Sequence, residues 1–380
     1  MAPLSPRARW AFLGLCALYA AVVIPIGIHK GEDITAEIGR STLLLHAQPL
    51  YLTPPTQGTW WPPFSTLAIV PFALIASASL AVAKGLWAAL GVWCFGWSLW
   101  TAGTRWGWRA AWLALAAIAV PLQDNFQHLN IETILLALIL AGIVALADGR
   151  EIRAGVWLGF AIALKAFPAL LLVWLAYRAR WRAVGAGLAV AAGLTYVALL
   201  PFGPLGAFTQ LGDWVTLSLH AQSQAGAAVS ALHMEKLARF TYALGGGAAA
   251  VAAAHIAVIA AVAWLIARRP PADDVPLEAG AVLLLAVLIA PIAWLHTFTL
   301  AFPVWVAAIA RRPALDGRAR TAWLAALGVA GLLTSGMLGH IHFPAPLAFV
   351  PAYNDVVGSL LLLALLLIQR IQRLPPVHAA

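Results

Sequence analysis

Apolar runs of about 17 to 25 residues recur from end to end of the chain, separated by shorter polar stretches. A run of that length spans a bilayer as an α-helix. The pattern therefore predicts an all-α, polytopic membrane protein forming one domain over residues 1–380. About twelve spans are predicted, near 10–28, 64–82, 85–103, 107–122, 131–147, 154–177, 183–202, 241–267, 279–296, 297–310, 321–340 and 354–370. Both termini are then cytoplasmic, and two long segments, 29–63 and 203–240, are external loops.

Composition supports a lipid environment. Hydrophobic residues make up 63% of the chain and charged residues only 10%, whereas soluble domains have roughly 25% charged residues. The net charge of +9 does not indicate a nucleic-acid partner, because the arginines form short clusters between apolar runs. That distribution is typical of cytoplasmic loops under the positive-inside rule.

The charge rule fits the second half of the predicted topology better than the first. Twelve spans place inside the basic clusters at 178–182, 268–269, 311–320 and 370–373. The same count puts outside the arginines at 105, 109, 150 and 153. A short or re-entrant segment would reverse this, and 154–177 is a candidate because Lys165 and Pro168 interrupt it.

The first external segment begins with an unusual concentration of acids. "KGEDITAEIGR" at 30–40 contains three of the 14 carboxylates of the chain. Ile34, Ile38 and Leu45 recur near helical spacing, which predicts a short amphipathic helix in the membrane interface. Prolines then forbid its continuation through "PLYLTPPTQGTWWPPF", where Trp60 and Trp61 are expected at headgroup level.

Several motifs resemble one known family. An acid after the first span, "PLY" at 49–51 and "WWPPFSTLAIVPFALI" at 60–75 resemble the opening of glycosyltransferase family 87, the polyprenol-phosphate-mannose-type membrane glycosyltransferases. "AGVWLGFAIALKAFPALLLVWLAYRARWRA" at 154–183 and "LIAPIAWLHTF" at 288–298 follow in the order of the family. The Gly-Gln-x-Asn of the family has its counterpart in "QDNFQHLN", as either Gln123 with Asn125 or Gln127 with Asn130.

The resemblance implies a GT-C-like helical bundle and an inverting transfer. The donor would be a polyprenyl-phosphate sugar, with a hexose, expected to be mannose, moved to a glycolipid or glycan acceptor outside the bacterial cytoplasmic membrane. Such a reaction needs a base for the acceptor hydroxyl and positive groups around the departing phosphate. We expect no cofactor and no essential metal, since the chain has no Asp-x-Asp.

Asp33 is the predicted base, because it matches the family position and lies where a lipid-borne sugar arrives. Glu37, one helical turn away, is the alternative on the same face, with similar expected exposure. The competing interpretation is an interfacial acid that pairs with Lys30 or Arg40.

Lys165 is the most anomalous charge, since a lysine inside an apolar run is costly and is expected to face protein or water. It would contact the lipid phosphate, or a carboxylate such as Glu132 or Asp124. The remaining candidates for substrate and phosphate binding are Gln127, Asn130, Gln222, Arg239 and His296.

A secondary transporter or a lipid flippase is the alternative from another class. A transporter predicts inverted repeats and broken helices near the midplane. The interruption at Lys165 fits this weakly, and the sequence shows no repeat.

Overall fold

The computed structural model describes residues 5–51, 61–227, 236–268, 274–290, 293–311, 315–340 and 349–372. Within these ranges all regular structure is helical. The α-helices are α1 (Pro6–His29), α2 (Glu32–Leu45), α3 (Pro63–Ala76), α4 (Leu80–Trp106), α5 (Trp108–Ala117), α6 (Ala119–His128), α7 (Glu132–Ala147), α8 (Glu151–Leu164), α9 (Leu170–Tyr177), α10 (Trp181–Leu199), α11 (Gly203–Ala227), α12 (Lys236–Ala243), α13 (Ala248–Ala267), α14 (Val275–Ile289), α15 (Phe302–Ala310), α16 (Gly317–Thr334) and α17 (Phe349–Gln372).

The predicted all-α, polytopic class is confirmed. By length and composition, 5 helices in the described part of the chain can cross a membrane, and several shorter apolar helices accompany them. The packing of α3 and of residues 151–177 corrects the count of twelve spans.

The chain divides into two compact units. Unit 1 comprises Met1–Ser98 with Gln123–Ala228, and unit 2 comprises Leu99–Leu122 with Val229–Ala380. That residues 1–380 act as one domain stays a prediction.

In unit 1, α4 runs antiparallel to α1. The Nζ of Lys84, near the start of α4, donates to the carbonyl of Ile28, at the end of α1, over 3.4 Å. Farther along, Gly96 of α4 lies against the thiol of Cys16. The α4 helix therefore starts on the side where α1 ends, here called the Asp33 side, and returns towards the side where α1 begins, here called the N-terminal side.

Because α4 starts on the side where α1 ends, residues 64–82, which lie between the two helices, do not cross the membrane. The α3 helix has 14 residues, so it is only about 21 Å long against roughly 30 Å of hydrocarbon. Near its start, the Thr66 carbonyl accepts a 2.8 Å hydrogen bond from Ser41 of α2. Near its end, the Phe72 ring lies 5.1 Å from the Trp87 ring of α4. Both ends of α3 are thus held to elements on the Asp33 side.

Residues 151–177 form a re-entrant hairpin. The α8 and α10 helices run parallel, because Gly155 contacts Ala183 while Gly159 contacts Gly187 and Val190. At each glycine a Cβ would lie within 3 Å of the facing backbone, so only glycine permits this approach. Because α8 and α10 start on the same side, α9 must bring the chain back between them.

A salt bridge closes this hairpin at its open end. Arg180, just before α10, holds Glu151, the first residue of α8, over 2.8 Å. The α8 helix has 14 residues, again about 21 Å. It ends at Lys165, and Pro168 in the 3-10 turn Phe167–Ala169 separates it from α9.

Two of the predicted spans are therefore wrong, and so is the sidedness of some arginines. Since α7 starts on the Asp33 side beside Asn130 and runs antiparallel to α8, the loop with Arg150 lies on the N-terminal side. Arg153 and the cluster at 178–182 share that side. Arg150 and Arg153 were expected on the same side of the membrane as residues 29–63. That expectation is wrong, because neither α3 nor the α8–α9 hairpin crosses the membrane.

The two segments predicted to be external, as far as they belong to unit 1, pack into one cap on the Asp33 side. Leu44 and Leu50 are buried together with Leu199, at the end of α10, and Leu217, in α11. The buried Gln210 side chain of α11 accepts the Leu50 N–H over 2.6 Å. The predicted amphipathic helix exists as α2, with Ile34 and Ile38 inward. Leu45 points outward and Trp61 is buried; Trp60 lies outside the described residues, and the headgroup level of the two tryptophans stays a prediction.

In unit 2, α14 and α15 form an almost wholly buried hairpin. Asp274, before α14, and Arg311, after α15, pair over 2.8 Å. Gly280 of α14 lies against Val304 of α15. A second buried pair joins Glu278 to Arg370 of α17 over 3.0 Å. The predicted spans 279–296 and 297–310 correspond to the arms of this hairpin.

Candidate functional site

The site of unit 1 begins where α1 gives way to α2. Gly27 and Gly31 leave a notch at this junction, and the Leu129 side chain fills it. A Cβ on Gly27 would lie 2.5 Å from Leu129, and one on Gly31 would lie 2.7 Å from it. The two glycines are therefore the local reason that the segment before α7 reaches the first turn of α2.

Leu129 is held in an uncommon conformation at this notch. Its φ of 53° lies in the left-handed region, which a residue with a large side chain rarely adopts. The Trp87 indole of α4 donates to the Leu129 carbonyl over 3.0 Å. Packing on one side and this hydrogen bond on the other fix the direction in which the chain enters Asn130.

Asn130 meets Asp33 directly. Its Nδ2 donates to Asp33 Oδ2 over 2.7 Å, and its Oδ1 accepts the Ile131 N–H over 2.7 Å. Asp33 is half-buried in the first turn of α2, where the helix dipole favours an anion. Among the described residues Asp33 makes no salt bridge with Lys30 or Arg40, so the interfacial ion-pair interpretation is not what the structure contains.

Lys165 joins this group from the break after α8. Its ammonium pairs with Glu132, the first residue of α7, lies 3.5 Å from Asn130 Oδ1, and lies 5.7 Å from the centre of the Phe167 ring. Lys165 is 16% exposed and Glu132 is fully buried. The predicted pairing of Lys165 with Glu132 is confirmed, and the Lys165 side chain stays partly exposed.

Two polar pairs lie at the edge of the same group. The exposed Lys30 donates to Gln127 Oε1 over 3.2 Å. His128 lies 3.5 Å from Asp124. The hydrogen bond to Asp124 raises the pKa of His128; burial opposes this, and the charges of Asp124, Asp33 and Glu32 add to the rise.

Glu37 does not share the environment expected for it. Its side chain is fully buried and pairs with Arg40 over 2.8 Å. The Arg40 guanidinium lies 5.5 Å from the centre of the Tyr51 ring. The expected similar exposure of Glu37 and Asp33 is wrong, because α2 packs one of its faces against α3 and the cap. Glu37 therefore lies on that packed face, and its role as the alternative base stays a prediction.

The structure thus brings together Asp33, Asn130 and Lys165, and places Gln127 at their edge. Gln222 lies in α11, but its side chain is outside the described residues. His296 and Arg239 belong to unit 2. His296 is buried in the 3-10 segment Leu295–Ala301 between α14 and α15, and Arg239 is half-buried in α12. Their predicted roles stay predictions.

Sequence reasoning missed Lys84 and the glycine notch. Lys84 lies at the start of an apolar run, where a lysine usually reaches water, yet it is 7% exposed. Gly27 and Gly31 are four residues apart at a predicted helix end, which is the spacing of close helix contacts. In the described part of the chain no group of three or more His, Cys, Asp or Glu is arranged to hold a metal ion.

Residues 60–292 match the model of Glycosyltransferase family 87. A polyprenol-phosphate-mannose-dependent alpha-(1-2)-phosphatidylinositol mannoside mannosyltransferase from Mycolicibacterium smegmatis is 27% identical over 271 residues, which is 66% of this chain and 57% of that protein. The protein of the same description from Mycobacterium tuberculosis is 28% identical over 236 residues, 59% of this chain and 52% of that protein.

The chain thus spans a little more than half the length of the curated relatives it matches. Among solved structures, ArnT from Cupriavidus metallidurans in the apo state aligns with 96% of this chain and 78% of its own, at 16% identity and a TM-score of 0.43. Asp33 lies before the residues that match the family model.

Proposed function

The chain belongs to glycosyltransferase family 87, and we propose that it is an inverting membrane glycosyltransferase. In this proposal it transfers a hexose, with mannose first, from a polyprenyl-phosphate sugar to a glycolipid or glycan acceptor. The reaction takes place on the Asp33 side, which we assign to the outer face of the cytoplasmic membrane. The arginines on the opposite side of unit 1 support that orientation, since basic loops favour the cytoplasm.

One observation supports this proposal most strongly. A half-buried carboxylate, Asp33, lies beside a partly accessible ammonium, Lys165, with Asn130 between them. Asp33 would accept the proton of the acceptor hydroxyl as general base. Lys165 and the Asn130 amide group would keep that carboxylate ionised and oriented. A base fixed by a side chain from another helix is preorganised for proton transfer.

The substrates follow from the names of the relatives and from the membrane. The relatives are described as polyprenol-phosphate-mannose-dependent and as acting on phosphatidylinositol mannoside. A donor carried on a polyprenyl chain and a glycolipid acceptor both suit a site at the lipid surface. The leaving group is already present in such a donor, so no cofactor or metal ion is required in this proposal.

Sugar transfer by the purified full-length protein tests the proposal. Detergent-solubilised protein is incubated with radiolabelled polyprenyl-phosphate mannose and phosphatidylinositol mannoside, and lipid extracts are separated by chromatography. We expect label in a larger glycolipid, and far less of it with Asp33→Asn. Detergent removes the compartments that a transporter or flippase needs, so transfer there excludes both. Absence of transfer from donors carrying mannose and from those carrying glucose would contradict the proposal.

A further inference from the structure

Lys84 is a buried cation near the site that has no buried anion to balance it. It lies in the second turn of α4 and is 7% exposed. Its Nζ contacts the Ile28 carbonyl over 3.4 Å, which is a long hydrogen bond for an ammonium. Among the residues that the structure describes, no Asp or Glu pairs with it. Two of its three N–H donors therefore have no protein acceptor there.

Such an arrangement is costly without a ligand. A buried charge is normally paired or hydrogen-bonded throughout, because the loss of hydration is otherwise uncompensated. The other lysines of the site differ in this respect. Lys165 is already balanced by the buried Glu132, and Lys30 is exposed and bonded to Gln127. Among the described lysines of the site, Lys84 is therefore the one whose positive charge is available to an anionic ligand.

Lys84 is joined to the site through neighbouring contacts. The carbonyl that it contacts belongs to Ile28, five residues before Asp33 on the same junction. One turn along α4, Trp87 donates to the Leu129 carbonyl, and Asn130 follows and holds Asp33. Lys84 thus flanks the α1–α2 junction on the side where α4 enters the membrane.

We propose that Lys84 binds the phosphate of the polyprenyl-phosphate lipid, an assignment that rests on the proposed function. In the transfer, the acceptor oxygen bonds to C1 of the sugar and its proton passes to Asp33. The bond between C1 and the phosphate oxygen breaks, and the electron pair leaves with polyprenyl phosphate. The phosphate gains one negative charge in this step, and an uncompensated ammonium stabilises that charge more than a neutralised one does.

Lipid binding by the full-length protein in nanodiscs tests the assignment. The probes are a polyprenyl monophosphate and the corresponding polyprenol, which lacks phosphate. We expect Lys84→Met to weaken binding of the phosphorylated lipid about 10- to 100-fold, as for loss of a hydrogen bond to a charged group. Binding of the polyprenol should change less than twofold. Lys84→Arg should retain part of the preference for phosphate.

Thermal unfolding of the unliganded variants separates binding from structure. Removal of an unbalanced buried charge should leave the melting temperature of Lys84→Met equal to or above that of the wild type. If Lys84→Met and Lys84→Arg both unfold earlier and lose both lipids alike, Lys84 is a structural cap of α1 and the assignment is overturned. The matched control is Arg109→Gln, which removes one exposed positive charge from α5 and should bind both lipids as the wild type does.

The binding assay also distinguishes this inference from the proposed function. If the wild type transfers sugar and Lys84→Met binds polyprenyl monophosphate within twofold of the wild type, the assignment of Lys84 is overturned while the enzyme stands. If the wild type transfers no sugar but prefers the phosphorylated lipid through Lys84, the phosphate site stands without the enzyme.

Discussion

The side-chain amide of Asn130 donates to the carboxylate of Asp33 over 2.7 Å, although the two residues are 97 positions apart in the chain. The amide oxygen is occupied by the Ile131 N–H, so the nitrogen must face Asp33. A helix end alone leaves an aspartate free to rotate. Here the first turn of α2 and the segment before α7 together determine where the Asp33 oxygens lie.

Asp33→Asn should abolish most of the sugar transfer. The substitution preserves size but removes the basic carboxylate, and general-base catalysis contributes typically about 10²–10⁴-fold. We expect kcat to fall by that factor with donor affinity nearly unchanged, as measured by initial rates over a range of donor concentrations. Glu32→Gln is the control, since Glu32 is the exposed neighbour at the same helix end. Equal losses in both variants would show that only the local charge matters.

Glu37→Gln should damage the fold rather than the chemistry. Glu37 is fully buried against Arg40, and removing one partner of a buried pair costs about 3–5 kcal/mol. Some of this is recovered because Arg40 is 12% exposed. The variant should unfold at a lower temperature in detergent, while the folded fraction keeps its kcat. A stable Glu37→Gln without activity would identify Glu37, not Asp33, as the base.

Lys165 and Glu132 should behave as one unit. Lys165→Met leaves the buried Glu132 carboxylate without its cation, so we expect strong losses of stability and of transfer, with Lys165→Arg retaining part of both. The double variant Lys165→Met/Glu132→Gln should be less destabilised than the sum of the single variants. The melting temperatures of the wild type, Lys165→Met, Glu132→Gln and the double variant give the coupling between the two residues. Additive effects would mean that the pair makes no net contribution.

Gly31→Ala should move the site without touching a polar group. An added Cβ would lie 2.5 Å from the Gly27 carbonyl oxygen and 2.7 Å from Leu129. Either the notch opens or Leu129 shifts, and Asn130 shifts with it. We expect at least a tenfold loss of transfer, since misplacement by about 1 Å can cost 10²-fold. Gly39→Ala, within α2 and with open space around it, should retain activity.

Cysteine labelling in intact cells tests the re-entrant hairpin. Gly149 precedes α8 and Ala179 follows α9, so cysteines at both positions should react from one side. Ala47, after α2, should react from the other side with an impermeant thiol reagent. Cys94 is buried and Cys16 is half-buried within α1, so the Cys16→Ser protein gives the baseline. Opposite reactions of Gly149→Cys and Ala179→Cys would restore 154–177 as a full span.

Much of the membrane architecture was accessible from the sequence. Hydrophobic length predicted the class, because lipid allows only helices with satisfied backbones, and the helical spacing of Ile34 and Ile38 predicted the helix α2. Span counting failed at α3 and at residues 151–177. Both are apolar enough to cross, and whether they do depends on partners: Gly155 and Gly159 fit only a parallel α10, and α4 starts beside Ile28.

The candidate site, too, was predicted from the sequence only in part. Asp33 and Lys165 are conspicuous as charges near or within apolar runs, and their proximity to Asn130 accords with the motif spacing. The burial of Glu37 was not visible, because helical periodicity relates it to Asp33 and gives no sign that α3 covers that position. Lys84 escaped notice because a lysine near a run end usually reaches water, and only the packing of α1 shows that this one does not.

The α8–α9 hairpin has a consequence for biogenesis. Neither arm is long enough to be retained in lipid as an independent span, and the turn at Lys165 brings a charge with it. Glu132, which neutralises that charge, precedes it in the chain, whereas α10, which receives Gly155 and Gly159, is synthesised afterwards. The hairpin must therefore enter the membrane beside α7 and be secured only when α10 arrives. Substitutions at the two glycines should act at this assembly step, reducing the yield of inserted protein before any effect on the mature site is seen.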